Sequence, residues 1–187
     1  MKKLLAVVWA VSMSLPLSAK DLIVYLSRSH NTEAVAKMIA AETGGDLVAI
    51  ELEKPYPDNY RATVEQVQRE NESGYLPPLK THIDHLAQYE CIFVGFPTWG
   101  MQLPPPVKSF LAAHDWRGKK IMPFNTHAGY GLGNSLADMQ RYCRDCQIGD
   151  ALSLEGGRER DGILFVMQGD KAKEALEQVQ QWLASAS

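Results

Sequence analysis

The chain has 187 residues, enough for one domain of ordinary size with a full core. Its 19 basic and 22 acidic residues leave a net charge of −3, which makes it a poor candidate for binding nucleic acid or an anionic lipid surface.

Lys2-Lys3, the apolar run Leu4 to Val11 and the small pair Ser18-Ala19 follow the order of a secretory signal peptide. Residues 1–19 are therefore expected to be a signal peptide and residues 20–187 a single domain, exported to the periplasm or another extracytoplasmic space. The apolar run is too short to span a bilayer comfortably, and no cysteine follows Ala19 to carry a lipid anchor. An uncleaved membrane tether is the competing reading. Without Lys2 and Lys3 the basic count falls from 19 to 17 against 22 acidic residues, a net of −5.

Leu22 to Leu26 is rich in β-branched and aromatic residues and predicts a first strand. Val35, Met38 and Ile39 recur at helical spacing and predict a helix over 33–41, ended by Gly44-Gly45. Between the two lies Ser27-Arg28-Ser29-His30-Asn31-Thr32. Strand, hydroxyl-rich turn and helix is the layout of a phosphate site, because free N–H groups and the positive end of the helix dipole face outward there. The turn lacks a P-loop lysine and a GxGxxG pattern, so a single phosphate monoester fits better than a nucleoside triphosphate or a dinucleotide. An ordinary capped turn is the plain alternative.

Leu47 to Leu52 predicts a second strand. A polar, Pro-punctuated stretch over 54–88 follows, with one helix expected over 58–70 and a break at Gly74-Tyr75-Leu76-Pro77-Pro78. Cys91 to Phe96 is nearly all apolar, as a strand buried on both faces should be. Pro105 opens a helix reaching Ala113, at the position where proline is tolerated. Lys120 to Phe124 predicts a fourth strand, 133–143 a helix and Ala151 to Leu154 a fifth strand. Gly162 to Met167 could extend the sheet or form a short edge strand. Over 171–183, Ala172, Leu176, Val179 and Leu183 fall in register for an amphipathic helix.

Strands alternating with helices predict one open, parallel, doubly wound α/β domain, whose ligand lies outside the carboxyl ends of the strands. That rule singles out the loops after strands one, three and four. The third strand leads into Pro97-Thr98-Trp99-Gly100-Met101, and the fourth into 125–133. Trp99 and Tyr130 offer flat apolar faces, and the glycines let backbone N–H groups approach a planar ligand closely. A phosphate cradle beside aromatic-bearing loops is what flavin mononucleotide (FMN) requires.

The motifs Leu26 to Thr32, Pro55-Tyr56-Pro57 with Tyr60, Tyr89 to Trp99, Pro105 to Phe110 and Gly118 to Thr126 resemble, in this order, those of the flavodoxins. The likeness is to the flavodoxin-like group with a long segment after strand two. It covers about 21–155 and the final helix with Gln181-Trp182-Leu183. The resemblance implies a five-stranded parallel sheet of order 2-1-3-4-5 with helices on both faces, and FMN as the cofactor. It implies that Ser27, Ser29, Asn31 and Thr32 bind the FMN phosphate, and that Pro97, Thr98, Trp99 and Gly100 line the ring, with Trp99 stacking. Thr126, His127, Gly129, Tyr130 and Gly131 would close the other side. Such proteins hold FMN non-covalently and tune its potentials by stacking and hydrogen bonds.

One residue departs from the family pattern: His30 stands where a glycine is usual. Histidine tolerates positive φ better than most residues, and a protonated imidazole could help hold a phosphate dianion, so His30 joins the expected cofactor-binding set.

Cys143 and Cys146, one helical turn apart, admit a structural disulfide, idle thiols or a flavin-coupled redox pair. Cys91 reads as core. His82 and His85 could share a helical face, but with no third ligand nearby no metal site is expected. No catalytic residue is assigned, and a serine hydrolase is disfavoured because no G-x-S-x-G elbow is present. Arg158 to Asp161 reads as a solvated loop.

The sequence thus points to an exported FMN-binding redox protein. It is either an electron carrier or an FMN-dependent oxidoreductase, with an unidentified protein partner or small-molecule acceptor and no stable membrane insertion after cleavage. A flavodoxin-fold binding module without redox turnover is the alternative from another class.

Overall fold

Residues that alternate between two faces build the sheet, and the computed structural model describes residues 20–186 of it and its surroundings. The expected signal peptide, residues 1–19, lies outside the described residues. The strands are β1 (Lys20–Tyr25), β2 (Asp46–Ala49), β3 (Tyr89–Pro97), β4 (Lys120–His127), β5 (Gln147–Ile148) and β6 (Leu152–Glu155). The helices are α1 (Asn31–Thr43), α2 (Tyr60–Ser73), α3 (Pro105–Ala112), α4 (Ser135–Tyr142) and α5 (Gly169–Ala186).

All strand pairs are parallel and the order is β2-β1-β3-β4-β5, with β6 also on β4. β6 is the fifth strand expected over 151–154, and β5 is an additional short strand separated from it by a break. Gln147 and Ile148 pair with the start of β4, and Leu152 to Glu155 pair with its end. The break has a physical cause. Gly149 still donates to the Ile121 carbonyl at 2.9 Å, but the next carbonyl, Asp150, turns away to accept the indole N–H of Trp182 at 2.9 Å.

Leu22, Val24, Ile92, Val94, Phe96 and Ile121 point to one side, where Val107, Phe110 and Leu111 of α3 and Met139 of α4 cover them. Ile23, Phe93, Met122 and Phe124 point to the other, under Val35 and Ile39 of α1 and Val179 and Trp182 of α5. Period-two alternation places each set on its own face. Both faces are buried, as a doubly wound sheet demands. Gly95 lacks a side chain because the Phe124 ring fills that space.

The stretch after β2 is an excursion closed at its base. Leu52 bridges Leu79, Glu53 donates to the Pro78 carbonyl at 3.0 Å, and Lys80 donates to the Glu51 carbonyl at 2.8 Å. Within it α2 is capped by the Asn59 side chain, which accepts the Ala62 N–H at 3.0 Å, and is ended by Gly74 at φ 67°. Its buried residues are few: Thr63, Val67 and Glu70. The helix lies against α3, and its position decides the shape of the site.

Gly162 to Met167 neither extends the sheet nor forms an edge strand. After a short 3-10 turn at Glu159–Asp161, an isolated bridge joins Arg158 to Ile163. Polar partners from α1 then take the backbone groups that a strand would have used, as described next.

Candidate functional site at the carboxyl ends of the strands

Four loops meet beyond β1, β3, β4 and β6. The first is the turn 27–30. His30 has φ 62°, the left-handed conformation that the departure from glycine raised as a question, and the helix begins at the next residue. Its ring reaches over the first turn, where Nδ1 donates to Glu33 at 2.8 Å. That bond, seconded by Lys37, holds the Glu33 carboxyl below its usual range.

Asn31 and Thr32 are buried at the start of α1. The Thr32 and Thr126 hydroxyls are 2.8 Å apart, tying the turn to the end of β4. The Asn31 amide donates to Ser29 Oγ at 2.9 Å and to the Leu164 carbonyl at 2.6 Å, while its oxygen accepts the Val166 N–H at 3.0 Å. This is what draws 163–166 out of sheet register.

Arg28 points the other way. Its Nε donates to both carboxylate oxygens of Glu159 at 2.9 Å, and its Nη atoms donate to the carbonyls of Pro57 at 3.1 Å and Asp58 at 2.8 Å. One guanidinium thus staples the turn to the excursion and to the loop after β6. The stretch 158–161, expected to be a solvated loop, owes its inward Glu159 to this bifurcated, charge-assisted bond.

After β3, Trp99-Gly100-Met101-Gln102 forms a two-residue hairpin. Trp99 and Gln102 exchange N–H···O bonds at 3.3 and 3.1 Å, and Gly100 and Met101 both have positive φ, at 57° and 60°. Two left-handed central residues are the mark of the tight primed turn. Trp99 meets Tyr56 edge-on, with ring centroids 5.5 Å apart. The Tyr56 hydroxyl in turn donates to the buried carboxylate of Glu70, which also accepts from Gln66 at 2.8 Å. Burial, reinforced by Glu70, pushes the Tyr56 phenol well above its ordinary value.

Asn125, Thr126 and His127, expected in a loop, lie in β4. Thr98 Oγ1 accepts from Asn125 Nδ2 at 2.6 Å and donates to the Gly131 carbonyl at 2.7 Å, which joins the third and fourth loops. His127 Nδ1 accepts the Gly129 N–H at 3.0 Å, and burial lowers its pKa from 6.5.

Ser29, Asn31, Thr32, Pro97, Thr98, Trp99, Thr126 and His127 line one cleft of about 120 Å³. Gly100 instead borders a larger cavity of about 450 Å³ between α2 and the Trp99 turn. Tyr130, 62% exposed, borders a small recess next to Tyr60 and Arg160. Gly129 and Gly131 shape the loop after β4, both at positive φ. Ser27 borders an adjoining recess with Arg28, Tyr56 and Trp99.

Sequence reasoning missed Arg28, Ala128, Gly156, Gly157 and Glu159 as cleft residues. The Gly156-Gly157 pair directly after a predicted strand was the available signal. A β-carbon on Gly156 would stand 3.2 Å from that of Thr126 and 3.3 Å from that of Asn31. On Gly157 it would overlap the Leu164 carbonyl.

The structure joins Cys143 and Cys146 in a disulfide, with Cα atoms 5.9 Å apart. Gln147, the next residue, pairs with Lys120 at the opposite end of β4 from Thr126. At a rise of ~3.3 Å per residue the disulfide stands about 20 Å from the cleft, too far for direct contact with a ligand there. Cys91 is partly buried, and burial pushes its thiol up to about 11.

The donors present suit a phosphate monoester. The N–H groups of Asn31, Thr32 and Glu33 precede the first helical hydrogen bond, which runs from Ala34 to His30 at 3.0 Å. Ser27 Oγ is buried without a hydrogen-bond partner among the described residues, an unmet polar group in the turn itself. A parallel doubly wound sheet with such a turn at its switch point, flanked by aromatic and glycine-bearing loops, defines a mononucleotide-binding α/β protein.

The chain belongs to the flavodoxin family, whose model matches residues 20–166, and its cofactor is FMN. A candidate flavoprotein of Bacteroides uniformis is 24% identical over 89% of this chain and 98% of its own, with a TM-score of 0.72. One from Bacteroides eggerthii is 23% identical over 89% and 97%, with a TM-score of 0.69. A flavoprotein of Lactobacillus acidophilus, solved in complex with FMN, is 19% identical over 73% and 93%, with a TM-score of 0.63. These likenesses show the shared fold. No curated protein matches the chain.

Proposed function

We propose that the chain is an exported redox enzyme that uses FMN to reduce a small molecule, in preference to a carrier serving a protein partner. The observation that carries this reading is the cavity of about 450 Å³ beside Trp99, contiguous with the phosphate-type cleft through Arg28, Tyr60, Thr98, Trp99 and Glu159. A carrier needs only an exposed cofactor edge, whereas reduction of a small molecule needs a place for it beside the cofactor. The volume falls within the ~300–1,000 Å³ of small-molecule sites.

In this reading the N–H groups opening α1, with the hydroxyls of Ser27, Ser29 and Thr32, hold the phosphate. Asn31 contributes its backbone N–H, because its side chain is committed to Ser29, Leu164 and Val166. Trp99, steadied by Tyr56, offers the stacking face. Pro97, Thr98 and Gly100 line the ring, and Thr126, His127, Gly129, Tyr130 and Gly131 close the opposite side. Bound FMN supplies the electron transfer, and the chain supplies orientation and exclusion of water.

Export rests on residues 1–19, which follow the order of a secretory signal peptide. With the acidic balance of the chain it argues against nucleic acid as a partner. The binding-module alternative drew its support from His30. With His30 holding the backbone conformation of a glycine, no observation favours that alternative.

An FMN titration of the purified chain from Lys20 tests the reading. Quenching of flavin fluorescence with a one-to-one endpoint, lost in Trp99→Ala and Thr32→Ala, is expected. A folded chain that leaves FMN fluorescence unchanged would overturn it.

A further inference from the structure

At the end of the sheet away from the cleft the chain carries a second group able to take up electrons, the Cys143–Cys146 disulfide. Its cysteines are 3 positions apart, and a loop that short is the kind from which a disulfide gains least by restricting the unfolded chain. Inside the loop Asp145 is held at φ 59°, a left-handed conformation that disfavours a residue with a β-carbon. Cys143 is buried, Cys146 is half-buried, and Arg144 and Asp145 between them are exposed, so the pair is open to an attacking thiolate on its Cys146 side. The reduced state is provided for as well. Cys146 Sγ lies 3.2 Å from the Cys143 carbonyl, an acceptor for the thiol proton that reduction creates.

What the disulfide holds is α4. With 8 residues this helix is shorter than the ~12–15 at which an isolated helix sustains itself, so it depends on its tethers. At its carboxyl end Cys143 donates to the Met139 carbonyl at 2.8 Å, and the disulfide ties that last turn to the start of β5, where Gln147 donates to the Lys119 carbonyl at 2.9 Å. At its amino end Asn134 donates to the Met101 carbonyl at 2.8 Å, and one turn further on Asp138 accepts the Leu103 N–H at 3.2 Å. These two bonds support the Trp99–Gln102 hairpin from behind. Gly131, just before the helix, accepts from Thr98 at 2.7 Å. One short helix, about 12 Å long at ~1.5 Å per residue, thus runs from the disulfide to the two loops that flank the flavin ring.

Resting on the FMN site described above, we propose that the Cys143–Cys146 disulfide is a thiol-controlled switch of cofactor affinity, reduced by a dithiol. One thiolate of the dithiol attacks Cys146 Sγ, the S–S bond breaks, and the Cys143 sulfur leaves with the bonding pair and takes a proton. The second thiol then attacks the mixed disulfide and releases Cys146, which is protonated in turn. Two electrons and two protons pass to the protein, and the dithiol departs as its own disulfide. Reduction frees the last turn of α4, and the hairpin and the Gly131 loop lose their common support. The oxidised chain is the tight binder of FMN.

The test compares the oxidised protein with protein reduced by dithiothreitol and freed of it without air. Alkylation and mass measurement count the thiols, and circular dichroism follows the fold. A folded dithiol form that binds FMN at least tenfold more weakly, with full recovery on reoxidation, is expected. Cys146→Ala should bind FMN as weakly as the reduced wild type and ignore dithiothreitol. Amide exchange at Asn134 and Leu103 should be at least tenfold faster in both. Coupling is reciprocal, so saturating FMN should shift the dithiol–disulfide equilibrium tenfold toward the disulfide, about 30 mV for a two-electron couple.

Equal FMN affinity in the two states would overturn the proposal, as would a disulfide that yields only when the protein unfolds. An oxidised wild type that binds no FMN would remove the cofactor site instead. Exchange at Asn134 and Leu103 in the unloaded protein would then decide whether the switch exists, with equal rates in the two states counting against it.

Discussion

The side-chain amide of Asn31 donates to the Leu164 carbonyl at 2.6 Å across 133 positions of sequence. With the Val166 N–H returning to its oxygen at 3.0 Å, one buried side chain substitutes for a strand partner. It fastens the phosphate-type turn to the last loop before α5. Asn31→Ala would remove two hydrogen bonds to part-buried backbone groups, at about 0.5–1.5 kcal/mol for each. Loss of ~1–3 kcal/mol in urea unfolding is the expected result. Faster exchange of the Val166 amide than in the wild type should accompany it.

Tyr56 connects the interior of α2 to Trp99, because its hydroxyl is held by Glu70 while its ring edge abuts the indole. Tyr56→Phe keeps the ring contact but leaves the buried Glu70 carboxylate with Gln66 alone, whereas Tyr56→Leu removes both the ring contact and the hydroxyl. The Trp99 contribution to near-ultraviolet circular dichroism should survive in the first and collapse in the second. FMN affinity should follow the same order, with a loss of tenfold or more confined to Tyr56→Leu. A similar loss in both would show that the hydroxyl, and not the ring, carries the effect.

His127 is held below its ordinary pKa of 6.5 by burial, against a smaller opposing pull from Glu155. The folded state therefore binds fewer protons there than the unfolded chain as pH drops from 6.5 toward the folded value. The sign follows from linkage: this stability contribution is complete above 6.5 and is lost as pH falls below it. Protonation would also remove the acceptor for the Gly129 N–H. Denaturant melts between pH 7.5 and 5 should fall more steeply for wild type than for His127→Gln. Parallel curves would refute the assignment.

Met101 has φ 60° and 45% of its surface exposed, so it bears the cost of a left-handed backbone with little packing in return. That conformation costs a non-glycine residue ~1–2 kcal/mol, against ~0.5–1 kcal/mol of extra chain entropy for glycine. Met101→Gly should stabilise the protein by about 0.5–1 kcal/mol. A lower midpoint would mean that the side chain holds the hairpin in another way. The neighbouring Gly133 must stay as it is, since a β-carbon there would overlap the Met101 carbonyl.

The elements that build the sheet were legible because they rest on local patterns. Alternation of Leu22, Ile23 and Val24 and the unbroken run from Ile92 to Phe96 announce strands buried on both faces. Gly44 marks the end of α1 and Pro105 the start of α3, as each residue's backbone preferences dictate. The site was legible in part for the same reason. Hydroxyls before a helix, and glycines with aromatics after buried strands, are short-range signals, and the strand-end rule gathers them.

Polar partners were not legible. Glu159 lies in a mixed-charge stretch that reads as solvated, yet Arg28 draws it inward. Lys108 looks like any exposed lysine of a helix, yet it is buried against three oxygens from three elements. The strand over 151–154 was legible, but the short β5 before it was not, and the two part where the Asp150 carbonyl meets Trp182.

The sequence by itself determined the strands, most of the helices, their order and the phosphate-type turn, because hydrophobic period and backbone preference act over a few residues. Only the tertiary structure decided where Asn31, Arg28 and Lys108 spend their hydrogen bonds, and hence the shape of both cavities. A polar side chain takes whichever partner the packed backbone brings within about 3 Å, and that partner is set by how distant elements stack.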